Sequence, residues 1–174
     1  MNMILVGFCS ATTVFISQFW GVKDLKKIRH IGGISILFAL AVAVIFTIIS
    51  LVIPSGVVSI FNDNEDVIAT GTEYLKVVAF SFIPIALTNI LASILRAVEN
   101  VKLPMYASAF TTVLNIFLDY SMIFGKFGFP EMGIKGAALA TSISAWLGVV
   151  LIVLISVFQK LSLIHISEPT RLGM

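Results

Sequence analysis

The sequence predicts an all-α integral membrane protein, and three observations support that class. Hydrophobic residues make up 59% and charged residues 11% of the chain, whereas a water-soluble domain carries about 25% charged residues. The apolar residues are collected in five stretches, each close to the ~20 residues that cross a bilayer as a helix. Most charges lie between those stretches. A soluble enzyme is therefore excluded, the lipid bilayer is the expected environment, and no nucleic-acid partner is expected.

The five apolar stretches are separated by short connections and are predicted to be transmembrane helices. They cover residues 3–20, 31–53, 74–95, 104–125 and 134–158. Pro54 ends the second stretch, and an amphipathic shoulder continues to Phe61. Pro84 lies within the third stretch, where its missing N–H should leave the carbonyl of Phe80 free and kink the helix.

The fifth stretch contains a stripe of small residues at four-residue spacing. The stripe consists of Gly136, Ala140, Ser144 and Gly148. Small residues on one helix face allow a neighbouring helix to approach closely. We interpret this stripe as a packing surface.

The charges in the connections predict how the helices are oriented. Residues 21–30 are basic and residues 62–73 are acidic. Because basic loops favour the cytoplasmic side, residues 21–30, residues 96–103 and Lys160 are predicted to be cytoplasmic. Residues 62–73 and 126–133 are then outside, and so is Met1, which predicts a further helix before the first stretch.

The end of the chain has a different character. Residues 161–171 resemble the product of in-frame read-through of a sequencing-library adapter, so residues 161–174 are predicted to be a non-native tail. The alternative is a genuine cytoplasmic linker. The fold is therefore expected to lie in residues 1–160.

The candidate site lies in the fourth stretch. Thr111, Asn115 and Asp119 recur every four residues, which places them on one face of a helix. A carboxylate in a spanning helix is costly, and this favours a functional position facing protein or a water-filled cavity. In the next stretch, Thr141 is expected at a similar depth. The alternative is that Asp119 reaches the outer interface and is simply solvated.

The residue types at this site indicate the kind of ligand. Carboxylate, amide and hydroxyl oxygens suit a hard cation such as Na⁺, here at Asp119 and Asn115, and a desolvated carboxyl can instead hold a proton. In the third stretch, Ser81, Thr88 and Asn89 indicate a partly wet lumen and, with Thr111, are candidates for lining it. Each alone is more often an interhelical hydrogen bond. No catalytic residue and no cofactor other than a coupling ion is expected.

Several segments together resemble the multidrug and toxic compound extrusion (MATE) family. They are the acidic connection, SQFWGVKDLKKIRH, EYLKVVAFSFIPIALTNILASILRAVENVKLPM and LNIFLDYSMIFGKFGFPEMGIKGAALATSIS. The resemblance covers residues 1–160 and corresponds to helices two to six of the six-helix N-terminal lobe. It implies a first helix and a second lobe that this sequence lacks, and these are the expected partners of the chain.

The resemblance also implies an activity. Such transporters are twelve-helix antiporters of the plasma membrane, here the bacterial inner membrane, that export cationic or amphipathic compounds against an inward Na⁺ or H⁺ gradient. Carried over from the family, the cation site comprises Asn115, Asp119 and Thr141. The family's first-helix Asp has no counterpart in this sequence.

Two alternative functions follow from different readings of the charges. A lipid-linked oligosaccharide flippase of the same superfamily would need Arg or Lys well inside the bundle to neutralise pyrophosphate, whereas the bases here lie near the ends of the stretches. A non-transporting membrane scaffold would not need Asp119.

Overall fold

The computed structural model describes the backbone of residues 1–166 and the side chains of residues 1–157. Within these residues the chain forms seven α-helices and one 3-10 turn at Ala79–Ser81. The helices are α1 (Asn2–Gly21), α2 (Leu25–Val52), α3 (Pro54–Ser59), α4 (Glu65–Val78), α5 (Phe82–Ala97), α6 (Lys102–Ile123) and α7 (Ile134–Ile166).

The predicted all-α membrane class is confirmed. Four helical segments of the described chain are long and apolar enough to cross a membrane: Asn2–Gly21, Leu25–Val52, Glu65–Ala97 and Ile134–Val157. The fourth predicted span forms α6, which has 22 residues but is not among those segments. Asn115 and Asp119 lower the mean hydropathy of α6. The polar residues of the candidate site therefore make α6 harder to recognise as a membrane-spanning helix.

Two segments predicted as loops are largely helical. Helix α2 begins at Leu25, because Asp24 accepts a hydrogen bond from the Lys27 N–H at 3.2 Å and so caps the helix. Helix α4 begins at Glu65, where the Asn64 side chain accepts from the Asp66 N–H. The acidic residues of that first turn also favour the positive end of the helix dipole. Local capping therefore extends both helices beyond their apolar stretches.

The third predicted span is interrupted near its proline. Helix α4 ends at Val78, the 3-10 turn covers Ala79–Ser81, and α5 starts at Phe82. Pro84 cannot donate a backbone hydrogen bond to the carbonyl four residues earlier, and this loss loosens the helix at that level. The structure therefore has a 3-10 turn at the level of the Phe80 carbonyl that Pro84 leaves free, and the kink itself stays a prediction.

Helices α1, α2 and α5 form one side of the bundle around buried small and aliphatic residues. Leu5, Ala39 and Ile90 are enclosed at its centre. Ile16, Ile28 and Ala97 pack together at one end, which brings the α1–α2 and α5–α6 connections to the same side. This arrangement agrees with the predicted shared location of residues 21–30 and 96–103.

The opposite end is marked by an ion pair between two exposed side chains. Lys135 Nζ lies 3.1 Å from Glu73 Oε2. This contact joins the beginning of α7 to α4. The acidic connection and the α6–α7 connection therefore lie on one side, in agreement with the predicted orientation.

The small-residue stripe of α7 packs against α6. A Cβ atom at Gly136 would lie 2.6 Å from the Met122 carbonyl oxygen, and one at Gly148 would lie 2.7 Å from Thr111 Cγ2. The two pairs run in opposite directions along the chain, so the helices are antiparallel. The packing role assigned to Gly136 and Gly148 is confirmed.

Most of the predicted non-native tail, residues 161–174, lies outside the described residues. The backbone continues as α7 to Ile166, and residues 167–174 lie outside the described part of the chain. The division at residue 160 stays a prediction.

Candidate cation site between three helices

A cavity of about 310 Å³ with several polar side chains on its wall lies between α5, α6 and α7. Thr88 and Asn89 of α5 face Asn115 of α6 across it, and Thr141 of α7 completes the wall. The remaining lining residues are Ile85, Thr111, Thr112, Ser144, Ala145 and Gly148. The tertiary structure thus brings together polar residues from three separate stretches of sequence.

Most of the predicted site residues lie on this wall, and two do not. The wall includes Thr88, Asn89, Thr111, Asn115 and Thr141. Ser81 is fully buried in the 3-10 turn, where its hydroxyl donates to the Val78 carbonyl at 2.6 Å. Asp119 is half-buried and lies one turn beyond Asn115.

Two of the polar lining residues, Thr112 and Ser144, were not predicted. Ser144 belongs to the small-residue stripe and was interpreted only as a packing residue. Its hydroxyl group also lines the cavity. Thr112 is next to Thr111 in the sequence and falls outside the four-residue spacing. A search for polar residues of any spacing within α6 would have found Thr112.

The hydroxyl groups on the wall present their oxygens to the cavity. Thr111 donates its proton to the carbonyls of Ala107 and Ser108, both at 3.0 Å. Thr141 donates to the Ala137 carbonyl at 3.0 Å. Because these protons are held by the backbone, the hydroxyl oxygens retain lone pairs as acceptors. Such a lining favours a cation over an anion.

Two side-chain atoms of α6 are enclosed by protein without a hydrogen-bond partner. They are Asn115 Nδ2 and Asp119 Oδ1, for which the described residues supply no donor or acceptor. An enclosed polar group without a partner costs roughly 1–3 kcal/mol, so this pair of atoms is expected to have a ligand. A half-turn of the Asn115 amide exchanges its nitrogen and oxygen, which would present a second oxygen beside the carboxylate.

The helix register places Asp119 close to the cavity. Gly136 lies opposite Met122 and Gly148 lies opposite Thr111, so by interpolation Thr141 is level with residues 117–118. Thr141 is therefore between Asn115 and Asp119 in height, about 4 Å along the axis from Asn115 and about 2 Å from Asp119. Around α6, Asp119 is about 80° and Thr112 about 100° from Thr111. Asp119 thus lies on the cavity side of its helix.

A cation at this position would be held mainly by neutral oxygens. Among the described residues, no group of three His, Cys, Asp or Glu side chains could hold a metal ion. The available ligands are one carboxylate, one amide and hydroxyl oxygens. This set resembles the sites that hard monovalent cations and protons use, rather than a transition-metal centre.

Two further cavities meet the first one at Asn89. One, of about 250 Å³, lies between α1 and α5 and is lined by Cys9, Thr13 and Ser93 among others. Another, of about 330 Å³, lies between α5 and α6. Arg96 lines both cavities. Asn89 therefore connects the candidate site with polar space that extends to the end of α5.

Arg96 and Glu99, two charged residues at the end of α5, do not form an ion pair within residues 1–157. Both side chains are exposed. Glu99 follows the end of α5 with φ +64, a left-handed conformation that takes its side chain away from the helix face. The Arg96 side chain instead lines the two further cavities.

These observations define a multi-pass helical membrane protein with a cavity between three of its helices that several polar side chains line. The MatE family model matches residues 1–121. The chain belongs to this family, whose members are membrane transporters rather than enzymes. The resemblance seen in the sequence is thereby confirmed.

Known relatives come from several bacteria. The chain is 34% identical over 149 residues to a probable multidrug resistance protein NorM of Thermotoga maritima, covering 85% of the chain and 32% of the relative. It is 30% identical over 172 residues to a NorM protein of Listeria monocytogenes serotype 4b, covering 99% of the chain and 36% of the relative. It is 28% identical over 139 residues to the probable multidrug resistance protein YoeA of Bacillus subtilis, covering 80% of the chain and 30% of the relative.

The chain spans about a third of the length of these relatives. No solved structure matches it.

Proposed function

We propose that this chain forms part of a drug:cation antiporter of the bacterial inner membrane. The transporter exports cationic or amphipathic compounds, and an inward gradient of Na⁺ or H⁺ drives it. Support comes from membership of the MatE family, the bacterial relatives named as multidrug resistance proteins, and the helical membrane fold. Asp119, Asn115 and Thr141 form its coupling-cation site.

The observation that carries this proposal is the pair of enclosed, unpartnered atoms on α6, Asn115 Nδ2 and Asp119 Oδ1. A cation between the carboxylate and the reoriented amide would satisfy both groups. Na⁺ would balance the charge of Asp119 and use the Thr141 hydroxyl oxygen as a further ligand. A proton would neutralise the carboxyl instead.

Coupling follows from the cost of leaving the charge of Asp119 uncompensated in a poorly solvated place. A cation that binds one arrangement of the helices more tightly than another shifts the balance between them. The same linkage requires that a substrate preferring the other arrangement weakens cation binding. An inward cation gradient can thus drive outward movement of a second solute.

The flippase alternative is less well supported by the charges of this bundle. A pyrophosphate would need basic side chains deep in the cavity, and the wall of the cavity between α5, α6 and α7 contains none. Arg96 lies at the end of α5, in its last turn. The single acidic group beside the cavity would repel a phosphate.

Cation binding can be tested on the chain itself. The purified chain in detergent is unfolded thermally in NaCl and in choline chloride at equal ionic strength, and at several pH values. Saturation with a cation at a hundred times its Kd stabilises a fold by about 2.7 kcal/mol. We expect Na⁺, or low pH in the case of proton coupling, to raise the Tm of the wild type but not of Asp119→Asn.

The matched control is Asp63→Asn, which removes the same charge from an exposed connection. This variant should keep the wild-type response. If the Tm of the wild type and of Asp119→Asn responds identically to Na⁺ and to pH, Asp119 is not the cation site.

Coupling itself requires the full-length transporter that contains this chain. In that protein, Asp119→Asn should abolish drug efflux while membrane insertion and amount remain unchanged. Wild-type drug resistance of this variant would contradict the coupling role and favour the scaffold alternative.

A further inference from the structure

A second large cavity opens on the side of the helix bundle that faces the lipid, away from the candidate cation site. It is a groove of about 670 Å³ between α2, the α4–α5 segment and α7. Its walls are almost entirely apolar, with Leu51, Val77, Phe80, Leu139, Ile143, Trp146 and Leu147 lining it. The two polar lining residues are Lys76 and Ser142.

The groove runs from the outer interface towards the middle of the membrane. The Glu73–Lys135 ion pair marks the outer end of α4 and α7, and Lys76 lies about 4.5 Å deeper along α4. On α7 the lining extends from Leu139 to Leu147, a length of about 12 Å. This length is close to the ~15 Å of hydrocarbon in one leaflet.

The groove is open on the side that faces the surrounding lipid. Phe80, Ile143, Trp146 and Leu147 expose between 40% and 59% of their surface. An apolar surface at this depth is suited to an acyl chain. The groove therefore has the size and direction of a single lipid tail entering from the outer leaflet.

Lys76 gives the groove a positive charge that no neighbouring acidic side chain pairs with in the described part of the chain. The nearest acid along the helix, Glu73, is paired with Lys135, and no ion pair involves Lys76 among residues 1–157. Ser142 donates its proton to the carbonyls of Val77 and Ala138. The exposed ammonium group of Lys76 can therefore donate hydrogen bonds to a ligand. The long alkyl side chain lets this group reach the level of the lipid headgroups.

We propose that this groove binds one anionic phospholipid of the outer leaflet. Its phosphate pairs with Lys76 Nζ, and one acyl chain lies along Phe80, Leu139 and Ile143. The volume of the groove falls in the range of roughly 300–1,000 Å³ typical of small-molecule sites. This inference is independent of the cation site and of the direction of transport.

Trp146 provides a built-in probe, since it lines the groove and is 45% exposed. The chain has two tryptophans, so Trp20→Phe leaves Trp146 as the only one. This variant is reconstituted in phosphatidylcholine vesicles that contain increasing fractions of dibromostearoyl phosphatidylglycerol or dibromostearoyl phosphatidylcholine. Quenching of Trp146 fluorescence measures how often each brominated chain occupies the groove.

We expect the anionic lipid to quench Trp146 with about fivefold preference over the zwitterionic lipid, the factor that one interfacial lysine supplies. Lys76→Gln should abolish this preference, whereas Lys76→Arg should retain it. The matched control is Lys23→Gln, which removes an exposed lysine at the opposite end of the bundle and should change nothing.

Three results would overturn the proposal. Equal quenching by both lipids would show ordinary contact with surrounding lipid. A preference that survives Lys76→Gln would place the anionic lipid elsewhere. No quenching by either lipid would show that a protein segment covers the groove.

Discussion

Thr111 of α6 and Gly148 of α7 meet so closely that a single added carbon would not fit between the helices. A Cβ atom at Gly148 would lie 2.7 Å from Thr111 Cγ2. Both residues line the cavity that contains Asn115 and Thr141. The contact that sets the distance between the helices therefore also shapes the candidate cation site.

Gly148→Ala should destabilise the fold by about 1–3 kcal/mol, as overpacking does elsewhere. Thr111 cannot easily turn away, because its hydroxyl is bonded to the carbonyls of Ala107 and Ser108 and its branched Cβ restricts χ1. Thr111→Ser removes the methyl group and keeps the hydroxyl. In a double-mutant cycle followed by thermal unfolding, Gly148→Ala should cost little in the Thr111→Ser background. Additive losses would mean that the two residues do not meet.

The loss of stability caused by Gly136→Ala should be harder to relieve by a second substitution than the loss caused by Gly148→Ala. The added Cβ would lie 2.6 Å from the backbone carbonyl oxygen of Met122, and no side-chain rotation can remove that clash. We expect a lower Tm corresponding to about 1–3 kcal/mol. The control is Gly33→Ala in α2, where nothing lies within 4 Å and alanine favours the helix. A Tm for Gly136→Ala equal to that of the control would contradict the close packing.

Asn115→Leu should have opposite effects on two properties: it should raise the stability of the fold and abolish Na⁺ binding. The amide nitrogen of Asn115 is enclosed without a partner, so replacing the side chain by an apolar group of similar size removes a desolvation cost of roughly 1–3 kcal/mol. We therefore expect a Tm in choline chloride above that of the wild type, and no further rise on adding Na⁺, because the variant lacks the amide oxygen that would hold the ion beside Asp119. A loss of stability in choline chloride would show that the Asn115 amide is satisfied in the folded protein.

Asp24→Ala should weaken the beginning of α2. The Asp24 carboxylate caps the helix through the Lys27 N–H and also lies 3.4 Å from Lys27 Nζ. Loss of such a cap costs about 1 kcal/mol, whereas the exposed ion pair contributes less than about 1 kcal/mol. Asp24→Asn keeps the cap and loses the charge, so its Tm should stay close to that of the wild type. Equal losses for both variants would assign the stabilisation to the charge instead.

Glu73→Gln tests the contact at the outer end of the bundle. Both side chains of the Glu73–Lys135 pair are more than half exposed, at 59% and 56%, so the pair should contribute less than about 1 kcal/mol. We expect a small loss of Tm that disappears at high salt, because salt screens exposed charges. A large or salt-independent loss would indicate that Glu73 has a further role in the fold.

The membrane class, the approximate positions of the long apolar helical segments and the disturbance of the helix before Pro84 could be predicted from the sequence, because hydrophobicity and a missing backbone donor act locally. The starts of α2 and α4 were placed too late, since caps at Asp24 and Asn64 carry these helices beyond the apolar stretches. Spacing also identified the face of α6 that carries Asn115 and Asp119. These features depend on neighbours within a few residues along the chain.

The composition of the cavity was decided by the tertiary structure. Thr112 and Ser144 join the wall, and Ser81 leaves it, because the α6–α7 register and the 3-10 turn fix which faces meet. The packing of α2, the α4–α5 segment and α7 also opens a groove beside Lys76. Contacts between distant stretches depend on fractions of an ångström between helices, as at Gly148 and Thr111, and no pattern along a single chain encodes such distances.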